Sequence, residues 1–395
     1  MINDNDDENG KEINENSIIS FATIKKNEMK RIDIPIQTSK IIIKLIICFC
    51  IILLLMLIYL INLNIYVREN FYDLKSIINE IKIKEHYSNN NDDNILEQYK
   101  KVQNEFCENS DKYKNLQYEN DIILTKIKFN SINTYMYMPK SFNWVLHAIK
   151  NNGAYEEKMT SFIEEALKFY GFKNNILNNK DIIMLDIGGN VGWYPSILGR
   201  YNYTIITFEA FKKNIYIQMK NFCYLNKNSN VYIVTKGLGS EKKICNYFSQ
   251  NNNSGNGMVV CQKKDILKDK LLKKQFTKIS EVEIITLNSL IPFLSDKYIA
   301  LIKMDVEGNE FKVIEGGKEL ITKYHVPFVV LEFSPIYLKE LGTDPLKLVQ
   351  FFVENDYKIS IDGFLSKNYI TVDELFAKTK FQIDCYFIHT SMIQT

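Results

Sequence analysis

The chain has 395 residues, of which 46% are hydrophobic and 24% charged, and its net charge at pH 7 is +2. This is the composition of a globular protein, and it excludes disorder of the whole chain. The charge is too small and too evenly spread for a nucleic-acid-binding surface, so we expect no nucleic-acid partner.

Near the N terminus, residues 1–39 are polar and predict a disordered cytosolic tail. Residues 41–61 are apolar except for Lys44, and a helix of this length spans roughly 31 Å, enough to cross a bilayer core. We therefore predict a transmembrane helix within residues 40–65. Its late start and the lack of a small-residue cleavage site argue against a signal peptide. Basic residues cluster before the span, which predicts a single-pass type II membrane protein with its bulk in the lumen.

The next segment, residues 66–128, has apolar residues at helical spacing from Phe71 to Ile81 and again from Tyr99 to Phe106. We predict a helical stem that self-associates weakly through short heptads. An unstructured spacer fits this segment equally well.

The remaining residues, 129–395, are predicted to form one α/β domain. Apolar runs of strand length alternate with helical stretches, a pattern typical of a mostly parallel sheet covered on both faces. Seven strands suit an open, doubly wound sheet with ligands at the carboxyl ends of its first strands. The predicted strands are 182–187, 204–208, 231–235, 299–304, 328–333, 358–361 and 383–388, and the predicted helices are 155–170, 195–200, 212–226, 310–323 and 344–355.

The first of these strands runs into a glycine-rich turn, Asp186-Ile-Gly188-Gly-Asn190-Val-Gly192. Gly188 and Gly192 allow backbone conformations and close approaches that a side chain would forbid. Asp186 can accept hydrogen bonds from a cationic amino group or from the loop itself. Glu209, at the end of the second strand, can accept hydrogen bonds from both hydroxyls of a ribose. Together these residues predict a nucleoside-cofactor site.

A dinucleotide dehydrogenase also uses an acidic residue at this place, but Gly188-Gly-Asn-Val-Gly192 does not follow its Gly-x-Gly-x-x-Gly fingerprint. An aspartate at the strand end suits a cofactor that carries an amino acid. The spacing therefore favours S-adenosylmethionine.

Carboxylates also follow the fourth and fifth strands. Asp305, Glu307 and Glu310 follow the fourth strand, and Glu332 ends the fifth. Carboxylates there can face a sulfonium, hold a divalent ion or accept the proton of an acceptor hydroxyl. Helix capping and charge pairing on the rim are the alternative. Asp305 is our first candidate for a catalytic base, followed by Glu307, Glu310 and Glu332.

These motifs, together with Gly237-Leu-Gly-Ser240, resemble the FkbM family of S-adenosylmethionine-dependent methyltransferases over roughly residues 130–390. The resemblance implies a class I methyltransferase (Rossmann-like) fold and methyl transfer to a hydroxyl, often on a sugar or natural product. By position, it implies cofactor contacts at Asp186, Gly188, Asn190, Gly192 and Glu209, and a reaction cleft at Asp305 and Glu307.

The chain departs from the family pattern at three positions and in one insert. Gly189 stands where alanine is common, Ala210 where proline is common, and Pro195 where a small hydroxyl residue is common. The polar insert from Ser249 to Lys274 is either an acceptor-side lid or a loop.

An anchor and stem before a lumenal catalytic domain are the usual arrangement of Golgi enzymes that modify glycans, so we expect a glycan or small-molecule acceptor. A type II glycosyltransferase, with a metal at Asp305-Val-Glu307, and a catalytically silent anchored binding domain are the alternatives. In the lumen, the sequons at Asn202 and Asn252 would be usable if exposed.

The seven cysteines show no zinc-ligand spacing, so we predict no metal site from them. Cys245 and Cys261 can close a loop if this part of the chain is secretory, and buried free thiols fit equally well.

Overall fold

The computed structural model describes residues 49, 51–60, 95–109, 118–140, 144–227, 229–250, 253–261, 276–294 and 297–393. The chain divides into two compact units, Met1–Tyr72 and Asp73–Thr395. In the first unit, residues 51–60 are helical. Among the described residues, no helix is both long and apolar enough to span a membrane. The predicted tail, most of the predicted transmembrane helix and residues 66–94 of the predicted stem lie outside the described residues.

The second unit alternates helices and strands along the chain. The helices are α1 (Ile95–Glu108), α2 (Trp144–Asn152), α3 (Glu157–Lys173), α4 (Trp193–Leu198), α5 (Lys212–Asn221), α6 (Glu310–Lys323), α7 (Pro335–Glu340), α8 (Pro345–Glu354) and α9 (Val372–Lys378). The strands are β1 (Ile122–Phe129), β2 (Ile132–Pro139), β3 (Ile182–Ile187), β4 (Thr204–Phe208), β5 (Val231–Val234), β6 (Gly237–Leu238), β7 (Lys243–Gln250), β8 (Asn253–Val260), β9 (Phe276–Ile285), β10 (Tyr298–Met304), β11 (Phe328–Phe333), β12 (Tyr357–Ser360) and β13 (Ile383–His389).

Within the described residues, the main sheet has seven strands in the order β12-β13-β11-β10-β3-β4-β5. Strand β13 pairs antiparallel with both neighbours, and the other neighbouring pairs are parallel. These are the seven strands predicted from the sequence, each within one residue of its predicted bounds. The α/β prediction with a mostly parallel sheet is confirmed.

Strand β3 shows why the sheet is buried on both faces. Ile182 and Met184 belong to one apolar cluster, whereas Ile183, Leu185 and Ile187 belong to another. Alternate side chains of a strand point to opposite faces, so a continuous apolar run requires helices on each side.

The order of the strands places a crevice between β3 and β10. From β3 the chain adds β4 and β5 on one side, and it then crosses to β10 on the other side. In open α/β sheets, ligands bind outside the carboxyl ends of the strands at such a switch point. The loops after β3 and β10 therefore face the same crevice.

The described part of the predicted stem differs from the prediction. Helix α1 is present, but it packs against the edge strand β5 and buries Tyr99 and Phe106. The Gln103 side chain is fully buried, donates to Val231 O at 3.1 Å and accepts from Ile233 N at 2.9 Å. It thus satisfies backbone groups that an edge strand leaves unpaired. Helical spacing reveals an apolar face but does not reveal what covers that face.

Residues 118–128, also assigned to the stem by sequence, enter the folded unit as well. Strand β1 pairs antiparallel with β2 over its whole length, from Ile122 opposite Pro139 to Phe129 opposite Ile132. Ile127 and Phe129 are buried in the core. The folded unit therefore begins well before residue 129.

Two disulfides connect parts of the second unit: Cys107 with Cys223, and Cys245 with Cys261. The first joins α1 to the turn after α5 across 116 residues, and the second joins the ends of the β7–β8 hairpin across 16 residues. Cys385 is a buried free thiol.

Removing the Cys107–Cys223 disulfide is expected to destabilise the protein more than removing Cys245–Cys261. In the chain-entropy model, a disulfide that closes the shorter loop stabilises by about 3 kcal/mol and one that closes the longer loop by almost 5 kcal/mol, a difference of about 1.7 kcal/mol. Urea unfolding of the two double Cys→Ser variants measures this difference. Equal losses of unfolding free energy would show that α1 stays docked without its disulfide.

A second sheet, with the order β6-β9-β7-β8 among the described residues, was not predicted from the sequence. Strand β8 belongs to the polar insert between Ser249 and Lys274. It pairs antiparallel with β7, so this part of the insert is a strand. Residues 262–275 lie outside the described part of the chain.

Candidate functional site

A cleft of about 680 Å³ opens at the carboxyl ends of β3, β4 and β10. We call it the main cleft. One wall comes from the main sheet and the other from the second sheet. Its lining includes Gly188, Asn190, Glu209 and Asp305 from the former and Tyr247, Gly257 and Val259 from the latter.

Gly188 brings the loop after β3 against the loop after β10. Its φ is +82°, and a Cβ atom there would lie 1.9 Å from the backbone oxygen of Asp305. The N–H groups of Gly188 and Gly189 both donate to Phe208 O at 3.0 Å. Only glycine fits this position, as the sequence predicted.

The structure explains the departure from the family pattern at Gly189. A Cβ atom at Gly189 would lie 1.9 Å from Thr207 Oγ1 and 2.9 Å from Gln218 Nε2. The Thr207 hydroxyl, which donates to Asp186 Oδ2 at 3.2 Å, occupies the space of an alanine methyl. The glycine and the threonine are therefore a matched pair in this chain.

Asn190 and Gly192 complete the turn. Asn190 has φ +48°, its N–H donates to Glu209 Oε2 at 2.8 Å, and its carbonyl accepts from Gln218 Nε2 at 2.7 Å. Within the described residues, Asn190 Oδ1 is buried without a hydrogen-bond partner. Gly192, with φ +83°, begins α4 beside Gln218 and shapes the turn from behind the cleft.

Asp186 lies beneath the loop rather than on the cleft surface. It is fully buried, and its Oδ1 has no hydrogen-bond partner among the described residues. Burial raises the pKa of Asp186 to about 6, although the nearby Lys303 ammonium and the Thr207 hydroxyl lower it. Its position suits support of the loop, the second of the two roles that the sequence suggested.

Glu209 lies at the rim of β4, as predicted, and lines the cleft. Its Oε2 accepts from Asn190 N, and its Oε1 accepts from Phe211 N at 2.7 Å. Burial raises the pKa of Glu209 to about 7 in spite of these hydrogen bonds. Each carboxylate oxygen retains a lone pair that can accept from a ligand hydroxyl.

A smaller cavity, which we call the side cavity, adjoins the main cleft, and its volume is about 220 Å³ when the open solvent at its mouth is included. Asp305 lines both spaces, and its side chain is 28% exposed. Glu307 lines the main cleft and Glu332 the side cavity. The carboxylates predicted after β10 and β11 thus lie around one junction, with Asp305 at its centre.

The carboxylates around Asp305 hold protons readily. Burial, together with Asp305 and then Glu332, raises the pKa of Glu307 well above its usual range. Burial and Asp305 also raise the pKa of Glu332, whose Oε1 accepts from Gln382 Nε2 at 2.7 Å. Like charges this close do not all ionise near neutral pH.

Glu310 has a structural role instead. Its Oε1 accepts from the N–H groups of Val306 and Gly308, each at 3.2 Å. This carboxylate therefore caps the loop before α6, as the alternative interpretation of the rim carboxylates proposed.

Sequence reasoning missed several residues of the site. Glu156, Lys303 and Asp384 also line the side cavity, and Glu156 accepts a hydrogen bond from Tyr194 OH at 2.5 Å. Glu156 precedes α3, far from the motifs, and it gave no sequence signal. Lys303 stood within a motif, but strand residues ordinarily pack in the core. Among the described residues, no group of three His, Cys, Asp or Glu side chains could hold a metal ion.

Part of the chain that includes this site matches a known protein family. Residues 186–359 match a family model described as Methyltransferase FkbM domain. The match begins at Asp186 and includes the loop after β3, Glu209, Asp305 and Glu332. A search of curated protein sequences found no match.

Several solved methyltransferases are distantly similar. Magnesium protoporphyrin IX methyltransferase from Synechocystis PCC 6803 with bound S-adenosylhomocysteine is 11% identical with a TM-score of 0.30, over 63% of this chain and 88% of that chain. The bifunctional kinase-methyltransferase WbdD is 12% identical with a TM-score of 0.35, over 62% of this chain and 41% of that chain. Precorrin-6y C5,15-methyltransferase from Geobacter metallireducens is 11% identical with a TM-score of 0.29, over 59% of this chain and 88% of that chain. Similarities at this level carry no conclusion about function.

Proposed function

We propose that the protein methylates a hydroxyl of a glycan or glycoconjugate. The chain is an S-adenosylmethionine-dependent methyltransferase, and its residues 186–359 match the FkbM methyltransferase domain. We further propose that the domain has the class I methyltransferase fold and works in the lumen of the Golgi or another secretory-pathway compartment. The strand order and the antiparallel β13 support the fold assignment.

The main cleft fits the methyl donor. The missing side chain at Gly188 leaves the loop open to close approach, and Glu209 offers carboxylate lone pairs to ribose hydroxyls. Asn190 Oδ1 is a buried acceptor that has no partner among the described residues. These are groups that the hydroxyls and amino group of such a cofactor can satisfy.

The position of Asp305 carries the proposal for the reaction. Among the described residues, it is the one carboxylate that lines both the main cleft and the side cavity. It therefore lies where a donor in one space and an acceptor in the other would meet. When bound, S-adenosylmethionine supplies a methyl group activated by its sulfonium sulfur. Asp305 would accept the proton of the acceptor hydroxyl as that oxygen forms its bond to the methyl carbon, while the bond from that carbon to sulfur breaks and S-adenosylhomocysteine is left. The loops around it would hold the two reactants in line.

One observation supports a lumenal location and another supports a membrane anchor. Disulfides persist in oxidising compartments and are rare in the cytosol, and this unit has two. The described helix over residues 51–60 is apolar, and each of its side chains is at least 45% exposed. Such a surface requires a covering partner, and a bilayer is the partner that the apolar run of residues 41–61 suits.

Glycosylation of the full-length chain tests this topology. Asn202 is exposed in the described structure and lies in a sequon. We expect the expressed protein to lose mass on treatment with peptide N-glycosidase, and Asn202→Gln to reduce this loss. A protein without N-glycans that remains in the cytosolic fraction would overturn the lumenal assignment.

The reaction is tested with the full-length protein, methyl-labelled S-adenosylmethionine and a cellular glycan extract. We expect labelled sugars that gain one methyl group by mass spectrometry. Binding of S-adenosylhomocysteine without transfer to any glycan, lipid or small-molecule fraction would instead favour the anchored binding domain.

Donor binding is expected to weaken below pH 7. Glu209 must be ionised to accept hydrogen bonds from both ribose hydroxyls, and its pKa in the free protein is about 7. Its protonated form therefore competes with donor binding as the pH falls, by up to about tenfold per pH unit. Calorimetry with S-adenosylhomocysteine from pH 5.5 to pH 8 measures this dependence.

The matched control is Glu209→Gln, which has nearly the same shape without the titrating group. It should bind S-adenosylhomocysteine more weakly than the wild type at pH 8, with a dissociation constant that changes less with pH. An identical pH dependence in both proteins would place the titration elsewhere.

A further inference from the structure

Lys303 is a buried cation in the middle of the sheet edge that forms the site. Its side chain is 7% exposed, and its Nζ lies 3.3 Å from Asp305 Oδ2 and 5.3 Å from the ring centroid of Tyr194. A lysine buried in this way requires nearby negative charge, since taking an ammonium out of water is costly. The surrounding carboxylates supply that charge.

The register of the sheet places Lys303 between the two halves of the site. Lys303 in β10 is the direct neighbour of Asp186 in β3, and Asp186 is the direct neighbour of Thr207 in β4. Paired residues of parallel strands point to the same face. A polar row therefore crosses three strands under the glycine-rich loop, and Lys303 forms its end next to Asp305.

The charges favour a permanently protonated Lys303. Burial lowers its pKa, but the carboxylates of Asp305, Asp186 and Glu156 outweigh burial and raise the pKa above its ordinary value. Asp305 is the first residue after β10, and its side chain is 28% exposed, so without a fixed partner the side chain would have freedom to turn. The contact at 3.3 Å restricts that freedom.

We propose that Lys303 is a positioning residue for methyl transfer, whose ammonium group holds the Asp305 carboxylate at the junction of the main cleft and the side cavity. This inference rests on the proposed role of Asp305. Lys303 acts through Asp305 and leaves the donor-binding contacts of Gly188 and Glu209 intact. Its removal should therefore reduce turnover rather than donor affinity.

The test uses the full-length protein and four variants: Lys303→Met, Lys303→Arg, Asp305→Asn and the double variant Lys303→Met/Asp305→Asn. Transfer of labelled methyl to the glycan extract is measured at saturating donor, and S-adenosylhomocysteine binding is measured by calorimetry. We expect Lys303→Met to lose at least tenfold in turnover with donor affinity within threefold of the wild type. Lys303→Arg, which keeps the charge, should regain part of the loss.

The double variant Lys303→Met/Asp305→Asn shows whether Lys303 acts on turnover through Asp305. If Lys303 acts through Asp305, the double variant should transfer methyl at the rate of Asp305→Asn alone. Lys236→Met is the matched control, because Lys236 is equally buried in the main cleft but pairs with Glu283 at 2.7 Å. When Lys236→Met is combined with Asp305→Asn, the fold losses of turnover of the two single variants should multiply.

Three outcomes would overturn the inference alone. The first is a turnover of Lys303→Met within twofold of the wild type. The second is an equal fold loss of turnover when Lys303→Met is introduced into the wild type and into Asp305→Asn. If Lys303→Met does not fold, Lys303→Gln replaces it, and failure of both neutral variants to fold would show that the lysine serves stability only. Absence of transfer by the wild type would overturn the proposed function, and this inference with it.

Discussion

Asp305→Asn is expected to reduce methyl transfer by about 10²- to 10⁴-fold, the usual contribution of a positioned general base. Asparagine keeps the shape of the side chain but cannot accept the acceptor proton as a carboxylate does. Calorimetry should show S-adenosylhomocysteine binding within about threefold of the wild type, since the loop after β3 and Glu209 are unchanged. Rates are measured at saturating donor with the labelled-methyl assay.

Asp373→Asn is the control, because Asp373 is an exposed aspartate in α9 outside both cavities. It should retain full activity. If Asp305→Asn also retains wild-type turnover, then Asp305 is not the base, and Glu307 and Glu332 become the candidates to change next.

Gly188→Ala is expected to cost roughly 2–5 kcal/mol of unfolding free energy and to abolish donor binding. Left-handed backbone in a residue with a side chain costs about 1–2 kcal/mol, and forcing an extra methyl into a packed site costs about 1–3 kcal/mol more. The atom in the way is the backbone oxygen of Asp305 at 1.9 Å, which cannot rotate aside. Urea unfolding and S-adenosylhomocysteine calorimetry measure the two effects.

Gly342→Ala separates the two contributions. Gly342 has the same φ of +82°, but a Cβ atom there meets nothing within 4 Å. It should therefore lose only about 1–2 kcal/mol, the cost of the left-handed backbone. Equal losses at Gly188 and Gly342 would show that the loops after β3 and β10 are not in close contact.

The main sheet was predictable because its central strands are buried on both faces. Continuous apolar runs such as Ile182–Ile187 stand out against their polar flanks, and each run corresponds to one strand. The loop residues Gly188, Asn190 and Glu209 were predictable for a related reason, since a strand that ends in glycines or a carboxylate breaks the apolar pattern abruptly.

The second sheet and the side cavity were not predictable because their signals are not local. Strands β7 and β8 mix polar and apolar residues without a continuous apolar run, so they resemble a loop in the sequence. Glu156 and Lys303 meet only through the packing of α3 against β10. The helical period of Tyr99 and Phe106 was visible, whereas their partner β5 was not.

The most direct test of the account is transfer of labelled methyl from S-adenosylmethionine to glycans by the full-length protein and by Asp305→Asn. The account predicts label on sugar hydroxyls, recovered as methyl ethers that survive mild alkali, with the wild type and nearly none with the variant. Label in esters or in protein, or equal label with both proteins, would contradict it.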